Sequence, residues 1–489
     1  MSTPGLGDIS PARNGGLPVC CILILCSTFV CPPSAAVAQS PIFGQNPVFF
    51  SNQRVQSKPP VWQTSQPLRI EENAQRHDTS FHFVDNPPRS NGAPQRPLSP
   101  VGPNVPQPKS GALQFAWNLM KATVLPSQEN TAICPLLPQT LLASLYDVAD
   151  AGAKAELRSS VLATTQELSK LLRSQTTSND RSTVNRLDHA MAMFLGTDTK
   201  ITRAYHEKSV QDGVDFKQVN FQDRNAAAAA ANQWVTEKSH GIIREIVSAK
   251  SLDPSTRILL ASVIYFKGQW KHQFTKTEPQ VFETVPGYDK TRATSGPIVP
   301  MMYQYNRLRY GVVDFADGNG MRWVDLPYEG STGLSMILML PKVRHQLKRS
   351  AEQLSVDHVR DIIAGLKQSR GTNKMHLHVP KFTLFSTLSL VPALKSLGLR
   401  SIFDRSSALQ ALSNEPLVVR DVTQRTFIAI DEQGTTATSA ASLSFVALSA
   451  VPPPPTINFT VNEPFLLMIV DKAYEYPLFV AKVVKPELN

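Results

Sequence analysis

The chain reads as an α+β protein, a single mixed domain behind a non-globular head. Two observations predict the domain. From Ser110 onward apolar residues recur first at helical spacing and later in strand-like runs, and 42% of the 489 residues are hydrophobic, enough to bury one large core. A third observation predicts the head: proline crowds into the first hundred residues, where it interrupts helical and strand periods alike. No fixed-period repeat runs through the sequence.

The N-terminus places Arg13 ahead of an apolar run from Leu17 to Cys31, followed by Ala36-Val37-Ala38. Charged, apolar and small-x-small parts in that order predict a secretory signal peptide over residues 1–38, cleaved before Gln39. The competing reading is a short anchor, although a spanning helix needs about 20 apolar residues. Residues 39–109, rich in Pro, Gln, Asn and Ser, predict a disordered segment. Cleavage removes Cys20, Cys21, Cys26 and Cys31 and leaves Cys134, so no internal disulfide is expected. Flanked by Ala132-Ile133 and Pro135-Leu136, Cys134 reads as a buried small hydrophobe rather than a nucleophile.

In the body, Ala112, Phe115, Ala116, Leu119 and Met120 predict a first helix, and Leu141, Leu142, Leu145 and Val148 a second one after Pro138. Further helices are expected over Asn225–Ser248, Val356–Lys367 and Leu388–Gly398, with Ala226–Ala231 as the solvent-tolerant start of the first of these. Strands are expected at Ile258–Phe266, Ser335–Leu340, Met375–Val379, Thr426–Ile430 and Phe465–Val470.

Charge and motifs exclude several functions. The formal net charge of +10 divides into +3 before Ser110 (eight basic, five acidic) and +7 after it, thinly spread, which argues against a nucleic-acid partner. Lys170, Arg173, Arg181 and Arg186 are too sparse to read as a designed polyanion patch. His376 and His378 alternate on one strand, but no carboxylate or cysteine stands near them in sequence, so no metal and no cofactor is assigned. Gly-x-Ser-x-Gly, His-Glu-x-x-His and phosphate-binding glycine loops are missing, and the chain is not read as an enzyme. Asn458-Phe459-Thr460 is a glycosylation sequon, which makes Asn458 a candidate glycosylation site just after the tetraproline Pro452–Pro455.

Several segments carry a family resemblance. Asn232-Gln-Trp-Val235, Gly241-Ile-Ile-Arg-Glu-Ile246 and Tyr265-Phe-Lys-Gly-Gln-Trp270 with Phe274 come first. Val299-Pro-Met-Met302, Leu326-Pro-Tyr-Glu-Gly330, Leu340-Pro-Lys342, Val379-Pro-Lys-Phe382, Leu397-Gly398 with Phe403, and Asn462-Glu-Pro-Phe465 follow. In this order and at these distances they resemble the serpins over Ser110 to Pro486. The resemblance implies a serpin domain over 110–489, with about nine helices around three β-sheets and an exposed reactive-centre loop at about 432–456. It also implies a secreted, monomeric suicide-substrate inhibitor. Its partner would be a chymotrypsin-, elastase- or subtilisin-like serine protease held as a covalent acyl-enzyme, with no stable membrane association once the signal is cleaved. The alternative from another class is a non-inhibitory binding protein or chaperone on the same fold.

In the resemblance, Glu432 and Gly434 open the loop hinge, and Thr435, Ala437, Ser439 and Ala441 are the alternate side chains that go under the sheet when the cleaved loop inserts. A strand entering a sheet must bond on both sides and bury every second side chain. No proline or charge stands between Gly434 and Val451. The family's spacing from the hinge glycine places the reactive bond at Leu448-Ser449; counting back from Pro464 overshoots by about five residues into the tetraproline, where proline would resist cleavage. Beneath the sheet the family usually keeps a cluster of Ser, Asn and His. The matching positions here are Cys134, Leu137, Met191, Ser262 and Gln424, which are expected to form an apolar substitute.

Overall fold

The computed structural model describes residues 83–84, 109–161, 163–176, 185–284, 296–330, 333–367, 372–432 and 456–488. In chain order these form β1 (Phe83–Val84), α1 (Lys109–Thr123), β2 (Thr131–Ile133), α2 (Leu136–Ser144), α3 (Ala151–Val161), α4 (Thr165–Thr176), β3 (Arg186–Gly196), β4 (Ile201–Thr202), α5 (Arg203–Gln211), β5 (Val214–Val219), α6 (Arg224–Lys238) and β6 (Ile258–Lys267). There follow β7 (Lys276–Val281), β8 (Ile298–Asp314), β9 (Gly320–Pro327), β10 (Leu334–Pro341), α7 (Leu347–Gln353), α8 (Val356–Gly365), β11 (Thr372–Pro380) and β12 (Phe382–Ser389). The chain closes with α9 (Val391–Ser396), α10 (Ser401–Asp404), β13 (Val419–Ile430), β14 (Ile457–Thr460), β15 (Phe465–Asp471) and β16 (Tyr476–Val483).

The described residues thus hold ten helices and three sheets. The largest sheet has nine strands because β8 is long enough to pair with β7 and β11 along its first half and with β9 along its second. The smallest joins Phe83–Val84 in parallel to Ile201–Thr202. The third sheet, in the order β12-β13-β6-β3-β5, organises the candidate site. Within it β13 pairs with β6 in parallel, whereas β12 pairs with β13 and β3 with β6 in antiparallel fashion.

This five-stranded sheet is covered on both faces, which explains the nearly unbroken apolar run of β6. Leu260, Ile264 and Phe266 face the large core shared with the nine-stranded sheet, while Leu259, Ala261, Val263 and Tyr265 join a smaller cluster that includes α6. Ala227, Ala228 and Ala231 are buried in that cluster while Ala226, Ala229 and Ala230 are exposed, so the alanine run opens the helix with a close-packed face as well as the expected solvent-tolerant one. The expected helix over Asn225–Ser248 also ends early, at Lys238. His240 and Gly241 turn the chain through left-handed conformations at φ 53° and 81°, and Asn232 Oδ1 then accepts the N–H groups of Ile246 and Val247.

Other boundaries moved for equally local reasons. α2 starts two residues before Pro138, because a proline in the first turn sacrifices only an N–H that the helix would leave unpaired. β13 starts at Val419, seven residues before the expected strand; Arg420, Asp421, Gln424 and Arg425 had hidden its alternation. The apolar stretch at Leu388 divides between the end of β12 and the short α9.

Candidate functional site

The end of β13 is a built anchor. The indole Nε1 of Trp270 donates to the carbonyl of Asp431 at 2.8 Å, and the N–H of Phe274 donates to the carbonyl of Glu432 at 3.2 Å. Trp270 is steadied by a stack on Tyr328 (4.6 Å, 14°), which in turn meets Phe266 edge-on at 5.0 Å. Gly268 makes this approach possible, since a Cβ there would lie 2.6 Å from the Tyr328 ring. The motifs around Tyr265–Trp270 and Leu326–Gly330 are therefore two halves of one aromatic box that fixes the last two carbonyls before residue 433.

Glu432, the first of the expected hinge residues, is tied down by its side chain as well. Its carboxylate accepts from Lys381 Nζ at 2.6 Å and from Thr277 Oγ1 at 2.7 Å. Partial burial disfavours the charged carboxyl, but the hydrogen bonds from Lys381 and Thr277 outweigh it and hold the group below the usual carboxylate range. Gly434, Thr435, Ala437, Ser439, Ala441 and the bond Leu448-Ser449 lie outside the described residues.

Below the anchor runs the parallel seam between β13 and β6, with Gln424 opposite Ser262 and Phe427 opposite Tyr265. On the large-core face the fully buried amide of Gln424 bridges strand to strand. Its Oε1 accepts from the backbone N–H of Cys134 at 2.7 Å, and its Nε2 donates to the Cys134 carbonyl at 2.9 Å and to Ser262 Oγ at 3.3 Å. Met191 stands opposite Ser262 on β3. The expected apolar substitute is thus corrected: a glutamine amide long enough to reach the main chain of Cys134 replaces the polar cluster and satisfies itself there. Cys134 supplies backbone, not thiol. Burial pushes its thiol up to about 12, despite the N–H groups of Leu137 and Leu136 beside the sulfur.

On the opposite face Tyr265 and Phe427 stack across the same seam, and Phe385 of β12 packs on Phe427 at 4.5 Å. The sequence motif reading missed this pair. Its only signal was two aromatics at the same height on two strands whose register was not yet known.

The histidines of β11 pack against Tyr303. Tyr303 shares a 2.8 Å hydrogen bond with His376 Nδ1 and packs on His378 at 5.0 Å, while burial, His376 and Lys276 hold His378 below its ordinary pKa. No group of three or more His, Cys, Asp or Glu side chains that could hold a metal occurs among the described residues. Asn458 is exposed on β14, the edge strand beside β11.

Comparison with known proteins follows the same outline. The chain is 27% identical over 305 residues to neuroserpin from Gallus gallus, an alignment covering 61% of this chain and 68% of that one. It is 27% identical over 326 residues to antithrombin-III from Mus musculus, covering 65% of each, and 29% identical over 303 residues to Iripin-2 from Ixodes ricinus, covering 61% and 72%. The fold is shared with native protease nexin-1 in its crystal structure with heparin (TM-score 0.65, 24% identity, 78% of this chain and 99% of that one). It is shared equally with serpin-12 of Manduca sexta (TM-score 0.65, 23% identity, 78% and 99%). The family model for serpins, described as serine protease inhibitors, matches residues 110–486, and the chain belongs to that family.

Proposed function

We propose that the chain is a secreted suicide-substrate inhibitor of serine proteases with an apolar primary pocket, cut at Leu448-Ser449. The observation that carries this reading is the seam: β13 and β6 pair in parallel, and the chain leaves β13 from an anchor at the top of that pair. A segment that turns back at residue 433 runs antiparallel to both strands. Once cleaved, it can exchange one parallel ladder for two antiparallel ones, which are slightly more stable per residue. About ten new hydrogen bonds at a net contribution of about 1 kcal/mol each make the inserted state the lower one.

The acyl-enzyme ester forms on Leu448, and insertion carries the attached protease away from the anchor before water completes the reaction. The alternate small side chains Thr435, Ala437, Ser439 and Ala441 suit burial beneath the sheet. Leucine at the bond suits chymotrypsin-, elastase- and subtilisin-like enzymes and disfavours trypsin. Entry to the secretory pathway rests on residues 1–38 and their small-x-small ending.

Mixing the purified protein with chymotrypsin tests the reading. A band that survives denaturing electrophoresis is expected, together with a released C-terminal peptide beginning at Ser449. Complete cleavage with no covalent band would exclude inhibition, and a peptide beginning at Val446 would move the bond to Phe445. Leu448→Arg should transfer inhibition toward trypsin.

A further inference from the structure

Two rows of side chains cross the outward face of the sheet formed by β14, β11, β8 and β7. The first is Asn458, His376 and Tyr305; the second is Thr460, His378, Tyr303 and Lys276. Directly paired residues share a face and lie about 4.8 Å apart from strand to strand. Tyr305 is half-exposed, its ring 4.7 Å from His376, and Tyr303 stacks on His376 at 5.9 Å and 18°. An open aromatic shelf therefore begins one strand away from the exposed sequon asparagine.

We propose that Asn458 carries an N-linked oligosaccharide whose first N-acetylglucosamine lies on the His376–Tyr305 shelf. This rests on the reading that the chain enters the secretory lumen. In the transfer, the Asn458 amide nitrogen bonds to the anomeric carbon of an oligosaccharide diphospholipid. The bond from that carbon to the diphosphate oxygen breaks, the amide loses one proton and the lipid diphosphate leaves with the electron pair. The acceptor geometry is favourable. Thr460 stands two residues on along the same edge strand, and Asn458 lies on the strand's solvent side while Ile457 and Phe459 face the core. The axial C–H groups of a pyranose are the positive partner that the negative face of an aromatic ring accepts, and tyrosine offers such a face at little conformational cost. The sugar would stand nine residues beyond Ser449 in the sequence.

The full chain is expressed in a eukaryotic secretory host in two forms, one with its own first 38 residues and one with these replaced by the host's secretion signal, and is recovered from lumen and medium. Treatment with an amide-cleaving N-glycanase should convert Asn458 to Asp in both, and Asn458→Gln should lose the modification. A host-signalled chain recovered from the lumen with Asn458 unmodified overturns the site. Modification of the host-signalled form alone supports the site and counts against the native signal instead. For the shelf, native protein should release the glycan several-fold faster when Tyr305→Ala and His376→Ala are combined, with equal release after denaturation. Equal native rates overturn the seating on the shelf.

Discussion

The rings of Tyr265 and Phe427 lie 5.1 Å apart and within 5° of parallel, one on each side of the seam between β6 and β13. A strand inserted at that seam would move them to about twice the 4.8 Å strand spacing, beyond stacking distance. On the proposed mechanism the pair stabilises the intact form alone. A double-mutant cycle with Tyr265→Leu and Phe427→Leu should give a coupling of about 0.5–1.5 kcal/mol in intact protein by urea unfolding. Loop-cleaved protein should show none. Equal coupling in both would place the inserted strand elsewhere.

Gln424→Leu removes the partner of both backbone groups of Cys134, at a cost of about 1–3 kcal/mol for each buried group left unpaired. Cys134 itself can report the outcome. Buried, with its pKa pushed up to about 12, the thiol should resist alkylation at pH 8 in the native protein. The variant should react at least about tenfold faster, since roughly 1.4 kcal/mol corresponds to one factor of ten. Unchanged labelling would mean that the amide does not hold the seam.

The carboxyl of Glu432 is held below its ordinary range by Lys381 and Thr277 against the effect of burial. A lowered folded-state pKa contributes stability that is complete above the unfolded value of about 4.3 and disappears as pH falls through the folded value. Glu432→Gln should thus be less stable than wild type at pH 7, and the two should converge toward pH 3. Both side chains are about a third exposed, so the difference should not exceed about 1 kcal/mol. Thermal melts across that range would show it, and a gap that persists at pH 3 would assign the effect to shape rather than charge.

Thr435→Arg and Thr436→Arg separate bait from hinge. An unpaired arginine under the sheet costs several kcal/mol or more, roughly 1.4 kcal/mol per tenfold in rate, so insertion should lose its race with deacylation. Thr435→Arg should be cleaved as a substrate. Thr436→Arg, one residue on and facing outward, should still inhibit. Identical behaviour of the two variants in an inhibition-stoichiometry assay would refute the alternation.

The family and the order of elements were legible because the motifs are packing devices, each tied to a local demand: Gly268 to the Tyr328 ring, Asn232 to the turn at Ile246, Trp270 to the carbonyl of Asp431. Relations across the seam were not. That Gln424 meets Cys134 depends on residues 290 apart, and the length of a glutamine side chain, which decides whether an amide can reach a backbone, has no signature in spacing. The helix boundary at Lys238 was misplaced because apolar residues continue past it and His240 is an unusual carrier of a positive φ. That Ala227, Ala228 and Ala231 of α6 are buried while Ala226, Ala229 and Ala230 are exposed was not legible, because a small residue on a surface and a small residue in a tight contact look alike in sequence.

The bridge made by Gln424 also bears on how the intact molecule ages. An amide takes up no proton in mild acid, so the bridge itself keeps the same strength in a mildly acidic compartment as in neutral fluid, and the lowered pKa of Glu432 keeps the anchor above it ionised there as well. On the proposed mechanism the lifetime of the uncleaved form follows the barrier to parting β6 from β13, which heat overcomes and to which the bridge contributes equally at neutral and mildly acidic pH.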